Sequence, residues 1–396
     1  MIRTVIVISC VLFLFQAQAQ TMRIGVVRSH TVKKMIFSYL NGSYFVLGDT
    51  SKKATLLPNE FISLRATSNN QVELTFGVRL LGRFDSIQLL QTGKDYGLRL
   101  ASVDPKLREK KYLDDFVIKA KNGSLTIINT VQMHHYLSGV VESEGGGGKH
   151  LEYYKAQATI SRTYAMDRLN RHKREGFQLC DQVHCQAYHN MQRFTPLIDT
   201  AVLQTQNVVM KDVHGHLVDG FFHANCGGET TWSDYVWNNR IAYIKPVVDS
   251  FCVYTRQANY TTKVLKSDWR NYLVGRLGYP ENDSIYGDLL YTFTQFYRKK
   301  YYHSPEFNIK LTKIRRKFKL KSTFFSCYES GDYVIIEGRG YGHGVGLCQE
   351  GAMKMANLGY SYKQILSFYF SDIEFSGDFE DQFFEQNPEL DRIINP

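Results

Sequence analysis

The sequence predicts an α+β fold, a β-rich N-terminal platform followed by a mixed domain with a central helix and glycine-rich loops. Three observations predict it. Residues 23 to about 125 carry short runs of β-formers separated by turn dipeptides. Residues 151–170 carry a helical repeat. Glycine runs at 145–148 and 338–346 interrupt regular structure on either side.

In the platform, Met22-Arg-Ile-Gly-Val-Val27, Ser43-Tyr-Phe-Val-Leu47 and Gln71-Val-Glu-Leu-Thr-Phe76 alternate or cluster β-formers. Asn41-Gly42 and Asn122-Gly123 are tight-turn dipeptides between such runs. No compact set of catalytic residue types falls in this half. The character changes near Tyr136. After Gly145 to Gly148, residues Tyr154, Ala158, Ser161, Ala165 and Leu169 share one helical face. Short strands are expected again from Thr200 to Phe222. Residues 262–303 read as largely helical and basic, and strands are expected from Phe307 to Glu337. Helices are expected at Leu347 to Asn357, stopped by Gly359, and at Tyr362 to Phe370.

The two ends are of another kind. Arg3, the apolar run Val5 to Phe15 and Ala17-Gln18-Ala19 read as a secretory leader covering residues 1–19. The apolar run is short of the ~20 residues that span a bilayer, and no transmembrane segment is expected further on. The chain is therefore expected to be exported, to a periplasmic or extracellular envelope location. The tail from 376 to 396 has six acidic residues against one Arg. The formal net charge of +10 favours anionic partners, and wall carboxylates are the natural ones for an exported protein. No nucleic-acid motif accompanies the charge, so nucleic acid is not expected.

Three separated blocks carry chemistry. The first is Tyr136-Leu-Ser-Gly-Val-Val-Glu-Ser-Glu144 with Lys155-Ala-Gln-Ala-Thr-Ile-Ser-Arg-Thr-Tyr-Ala165. The second is Cys180-Asp-Gln-Val-His-Cys-Gln-Ala-Tyr188 with Asn225-Cys-Gly-Gly-Glu-Thr230 and Trp237. The third is Gly338-Arg-Gly-Tyr-Gly-His-Gly-Val-Gly-Leu-Cys-Gln-Glu-Gly-Ala352. In order and content these blocks, within residues 126–375, resemble the SpoIID/LytB domain family, named for a sporulation protein and an amidase enhancer. The resemblance implies cleavage of peptidoglycan glycan strands by a lytic transglycosylase reaction. Its alternative is a non-catalytic wall-binding module that recruits or enhances a wall amidase.

The resemblance places the catalytic carboxyl at Glu144. One carboxyl suffices: it protonates the glycosidic oxygen, and the muramic 6-hydroxyl attacks the anomeric carbon in place of water. Glu142 offers a second carboxylate. Were this segment extended, the two side chains would point the same way and form a hydrolase pair. Where the family carries Met-Pro after the glutamate, this chain has Gly145 to Gly148. Lys155 and Arg162, seven apart, share a helical face and match basic residues that line the family's site. His343 would donate to a sugar hydroxyl or position Glu144, and Gln349 would face the same cleft. The ordinary alternatives are a solvated basic stripe and a loop histidine packed on the next helix.

His172, Cys180, His184 and Cys185 form a donor set suited to a structural tetrahedral zinc, and the resemblance matches it approximately. A Cys180–Cys185 disulfide or free thiols would use the same residues differently. Among the other cysteines, chain proximity suggests Cys226–Cys252 and Cys327–Cys348 pairs.

Overall fold

The computed structural model describes residues 21–377. The expected leader, and nearly all of the acidic tail, lie outside the described residues. The α+β class is observed.

Alternating side chains build the platform as two sheets. In Lys34–Asn41 and Asp115–Lys121 every second residue is buried along most of the strand, the period that gives a sheet one apolar face. The first sheet has seven strands, in the order Leu179–Cys180, Thr21–Val26, Ser124–Gln132, Asp115–Lys121, Ser86–Gln91, Tyr44–Gly48 and Ser51–Leu56. The second has six, in the order Lys110–Leu113, Gly97–Asp104, Lys34–Asn41, Phe61–Ala66, Val72–Phe76 and Arg79–Phe84. The apolar faces meet. Phe37 of the second sheet and Phe116 of the first pack edge-on, with ring centroids 5.8 Å apart, and both are fully buried.

Two connections carry this platform into the rest of the molecule. Strand Ser124–Gln132 runs directly into helix α1 (Met133–Gly145). Leu179 and Cys180 pair in parallel with Ile24 and Gly25, so the cysteine-bearing segment is itself an edge strand of the first sheet. One apolar core therefore extends from Met22 in the platform through Tyr136 and Ile160 to Phe370.

Helix α2 (Leu151–Asp167) is the centre of the second half. It packs against α1, α3 (Pro196–Gln204), α7 (Gln349–Asn357) and α8 (Tyr362–Tyr369). Contact on every side explains its composition. Ala156, Ala158, Ser161, Thr163 and Ala165 are small enough for neighbouring backbones to approach, and all are buried. The buried hydroxyl of Thr163 is satisfied within the fold, donating to Thr159 O and accepting from Met210 N. The ends are chemically marked. Gly146, at φ +66°, ends α1, and the expected glycine interruption follows it. Ser361 and Gln364 close a capping box on α8.

Three expectations change here. Proline at the first turn starts α3 where strands were expected from Thr200, and the strand Val209–Asp212 follows it. Between 262 and 303 the only α-helix is α5 (Lys266–Leu273), α4 being the short Ser233–Val236. Gly278-Tyr-Pro280 stops any extension, and the aromatic residues beyond it turn inward, with Phe293 and Tyr302 packing 4.7 Å apart. Between 307 and 337, α6 (Leu311–Phe318) precedes the strands, burying Leu311 and Ile314 at helical spacing. These pieces and the three-stranded sheet Asn259–Leu265, Tyr333–Arg339 and Phe325–Ser330 surround a second core centred on Trp269.

Candidate active site and metal centre

Glu142 and Glu144 both lie on α1, and helical geometry separates them by roughly 200° of rotation. They do not point to one side, as an extended segment would require. Glu142 is taken up by backbone: its carboxylate accepts from Arg193 N, Phe194 N and Thr195 N at 2.8–3.1 Å. Glu144 has one such bond, from Ala187 N to Oε1 at 2.7 Å. Its residue is half-buried, and burial raises its pKa, with the Ala187 N–H acting in opposition. The two acids are thus different chemical objects. One is a fixed acceptor, and the other is a carboxyl biased towards its protonated form.

The surroundings of Glu144 come from four segments. A Cβ at residue 145 would come within 2.8 Å of the Tyr153 hydroxyl, so glycine lets this fully buried ring approach the end of α1. From α7, Gln349 donates through Nε2 to Glu144 O at 3.4 Å and to Gln157 Oε1 at 3.3 Å. Gln157 donates to Ser161 Oγ, and Gln186 donates to Ser161 O at 2.9 Å. Gln186 immediately precedes Ala187, so the network returns to Glu144. Gln349 thus lies beside Glu144, but buried and bonded to its main-chain carbonyl. Gln157 and Gln186 were not anticipated. A glutamine among small residues in the middle of a helix is the signal that could have found Gln157. The role of Ala187 belongs to its backbone and leaves no mark in the sequence.

The two cations are placed elsewhere, a correction to the expectation that they line the site. Both sit on the face of α2 roughly 140–200° away from Tyr153 and Gln157. Lys155 pairs with Glu152 at 2.8 Å, and Glu152 in turn accepts from Tyr362 N. Arg162 is buried and donates to Val202 O and Val208 O, and burial pushes its pKa down to about 10. The shared face is real, but it fastens α2 to α3 and α8. Nor is it a solvated stripe.

His343 packs against aromatic rings, with centroids 5.2 Å from Trp237 and 5.4 Å from His223. Its Nδ1 accepts from Val345 N, and burial pushes its pKa down to about 4, so the ring is neutral at neutral pH. A surface groove of about 470 Å³ lies near Trp232, Tyr235 and Tyr297, and none of the predicted site residues lines it.

The expected metal donors converge. Cys180 Sγ lies 3.3 Å from His184 Nε2 and 3.6 Å from Cys185 Sγ, and Cys185 Sγ lies 3.4 Å from His172 Nε2. Donors on one tetrahedral zinc are separated by about 3.4–3.8 Å, given ordinary Zn–S and Zn–N lengths. A disulfide would need about 2.05 Å. The side chains fit a structural zinc: two soft thiols and two imidazoles make up four protein donors. His172 Nδ1 bonds Glu175 Oε1, which fixes the tautomer that presents Nε2. Among the remaining cysteines, Cys327 belongs to the second core beside the Tyr302 hydroxyl, whereas Cys348 meets Cys226. The Cys327–Cys348 pair is not formed, because the two residues belong to different cores.

Residues 121–211, which hold α1, Glu144 and this donor set, match the family model for stage II sporulation protein, SpoIID. An uncharacterised protein of Brachyspira hyodysenteriae is 26% identical over 67% of this chain and 72% of its own length. Stage II sporulation protein D of Bacillus subtilis is 24% identical over 63% of this chain and 76% of its own. The amidase enhancer of the same organism is 26% identical over 59% of this chain but only 39% of its own. The chain is thus similar to the SpoIID/LytB family across the segment that holds Glu144 and the four donors.

Proposed function

We propose that this protein cleaves peptidoglycan glycan strands as a lytic transglycosylase, with Glu144 as its single acid/base. The observation that carries the reading is the division of labour on α1. Glu142 is committed to three backbone amides, and of the two acids on α1 it is Glu144 that combines partial exposure with burial that favours the protonated carboxyl.

In the reaction, Glu144 gives its proton to the glycosidic oxygen as the C–O bond breaks and charge develops at the anomeric carbon. The muramic 6-hydroxyl closes on that carbon and releases its proton to the Glu144 carboxylate, restoring the acid. No second carboxylate is required, unlike in hydrolysis by water. Gln349 and Ala187 hold the end of α1 while this happens. His343, neutral and packed on Trp237, orients the glycine-rich loop and takes no part in the proton transfer. Lys155 and Arg162 support the site through α2, without touching substrate.

Zinc at His172, Cys180, His184 and Cys185 would be structural. Its place is to fix the Cys180–Cys185 loop, from which Gln186 and Ala187 run to the acid. The protein acts after export, in the periplasm or at the cell surface. Among the described residues no helix is long and apolar enough to cross a membrane.

The name of the Bacillus amidase enhancer favours one other reading, a wall-binding module that recruits an amidase. Incubation with intact and amidase-stripped sacculi, followed by mass spectrometry of the released sugars, separates the two. Anhydro-muramic ends support cleavage through Glu144. Binding without soluble products supports recruitment.

A further inference from the structure

A second set of soft donors lies deep in the core and takes no part in the proposed reaction. Cys226 follows the strand Phe222–His223, Asp249 and Cys252 come from one loop, and Cys348 opens α7. Each is fully buried, and their donor atoms lie within 4.8 Å of one another. We propose that Cys226, Asp249, Cys252 and Cys348 bind a second structural zinc ion.

The spacing is that of a cage. Cys226 Sγ lies 3.3 Å from Cys252 Sγ and 3.2 Å from Asp249 Oδ2. Thiolate and carboxylate donors on one tetrahedral zinc stand about 3.5–3.8 Å apart, so small adjustments would seat the ion. Asp249-Ser-Phe-Cys252 has two residues between donors, the short spacing that lets one loop offer two ligands to a single ion.

The groups around the donors are arranged as an outer shell. Cys348 Sγ accepts from Cys226 N at 3.3 Å and from Gly351 N at 3.4 Å, bonds that favour a thiolate. Asp249 Oδ2 accepts from the Tyr369 hydroxyl at 2.9 Å, and Oδ1 accepts from Phe251 N at 2.9 Å. These bonds aim the carboxylate at the sulfurs, as outer-shell partners orient metal ligands. Gly351 is required by the same arrangement, because a Cβ there would overlap both Tyr369 Oη and Asp249 Oδ2. Zinc with three thiolates and a carboxylate carries a net charge of 2−. Buried Arg298 offsets part of it, donating to Cys226 O at 2.6 Å.

A disulfide accounts for less. Joining Cys226 to Cys252 would leave the Cys348 sulfur and the Asp249 carboxylate side by side in the core, each bonded to its own donors but with no cation to offset the buried charge. A cation satisfies all four at once and releases their protons on binding. With four protein donors and no open position, the site is closed and structural. Its place gives it a consequence. Cys348 immediately precedes Gln349, so the ion would pin the start of α7 to the Asn225-Cys-Gly-Gly228 loop and hold Gln349 against Glu144. This assignment does not rest on the transglycosylase reading.

The test is the zinc content of the full-length protein, purified without added metal or reductant, read by elemental analysis and native mass spectrometry. Two zinc ions per chain are expected in the wild type. Cys252→Ser should halve the content, and Cys185→Ser should leave a single ion bound by Cys226, Asp249, Cys252 and Cys348. Zinc that is insensitive to Cys252→Ser, or a protein with no zinc at all, would overturn the proposal. So would a Cys226–Cys252 disulfide recovered by peptide mapping under non-reducing conditions. If Cys252→Ser does not fold, zinc-edge X-ray absorption on the wild type decides. An average above two sulfurs per zinc supports the second site, and an average of two contradicts it.

Discussion

The backbone N–H of Ala187 donates to Glu144 Oε1 at 2.7 Å, and Ala187 stands two residues beyond Cys185. The proposed acid is therefore held by the same short segment that carries the His172/Cys180/His184/Cys185 donors. Loss of zinc by Cys185→Ser should loosen both. Lower thermal stability is expected, because structural zinc contributes folding free energy. Amide hydrogen exchange should also quicken across residues 179–190 before the rest of the core. Uniform protection in the variant would separate the metal from the acid's support.

Glu142 should behave as a structural residue. Glu142→Ala leaves the amides of Arg193, Phe194 and Thr195 without their acceptor. Hydrogen bonds to a charged group contribute ~1.5–3 kcal/mol, so chemical denaturation should show a loss of about that size. The chemistry of the released sugar ends should not change. A switch in end chemistry would return Glu142 to the reaction as a second carboxylate.

Arg162 gives a parallel contrast. Arg162→Leu keeps apolar bulk on α2 but removes the donors to Val202 O and Val208 O, at a cost of about 1–3 kcal/mol in unfolding free energy. Affinity for stripped glycan strands, measured by pelleting, should stay near wild type. Weakened binding with an unchanged melting temperature would place the guanidinium on the substrate after all.

Much of this was legible because it is local. The helix from Leu151 shows in its own periodicity, and the grouped residues His172, Cys180, His184 and Cys185 sit within fourteen residues of one another. Gln349 was legible through the glycine-rich block that precedes it. What escaped depends on partners far along the chain. The seven-residue spacing of Lys155 and Arg162 correctly put them on one face, but it carries no information on which face looks towards Glu144. The Cys348 partners, more than ninety residues upstream, are joined only by the tertiary fold. The basic stretch over 262–303 reads as largely helical, and a core formed around Trp269 and Tyr302 overrides that local reading.

His343 makes stability depend on pH in a definite direction. Its pKa lies at about 4 in the folded protein, below the value of roughly 6.5 for a free imidazole. Between these values only the unfolded chain takes up the proton. Stability should therefore fall as pH falls through this window and be fully present above it. Buried His223, with its pKa also lowered, acts in the same sense. Calorimetry from pH 7 to pH 4 should show a shallower decline for His343→Asn than for the wild type. Equal slopes would mean that the ring protonates freely in the folded state.

The most direct measurement is the release of anhydro-muramic sugars from stripped glycan strands by Glu144→Gln beside the wild type, across pH. Glutamine retains an oxygen to accept from Ala187 N but cannot donate the required proton, so the fold and glycan binding should persist. General acid–base assistance is typically worth ~10²–10⁴-fold, and a loss in that range is expected. In the wild type, release should decline as pH rises through the raised Glu144 pKa, where the acid form is lost. Release at the wild-type rate by Glu144→Gln would contradict the account.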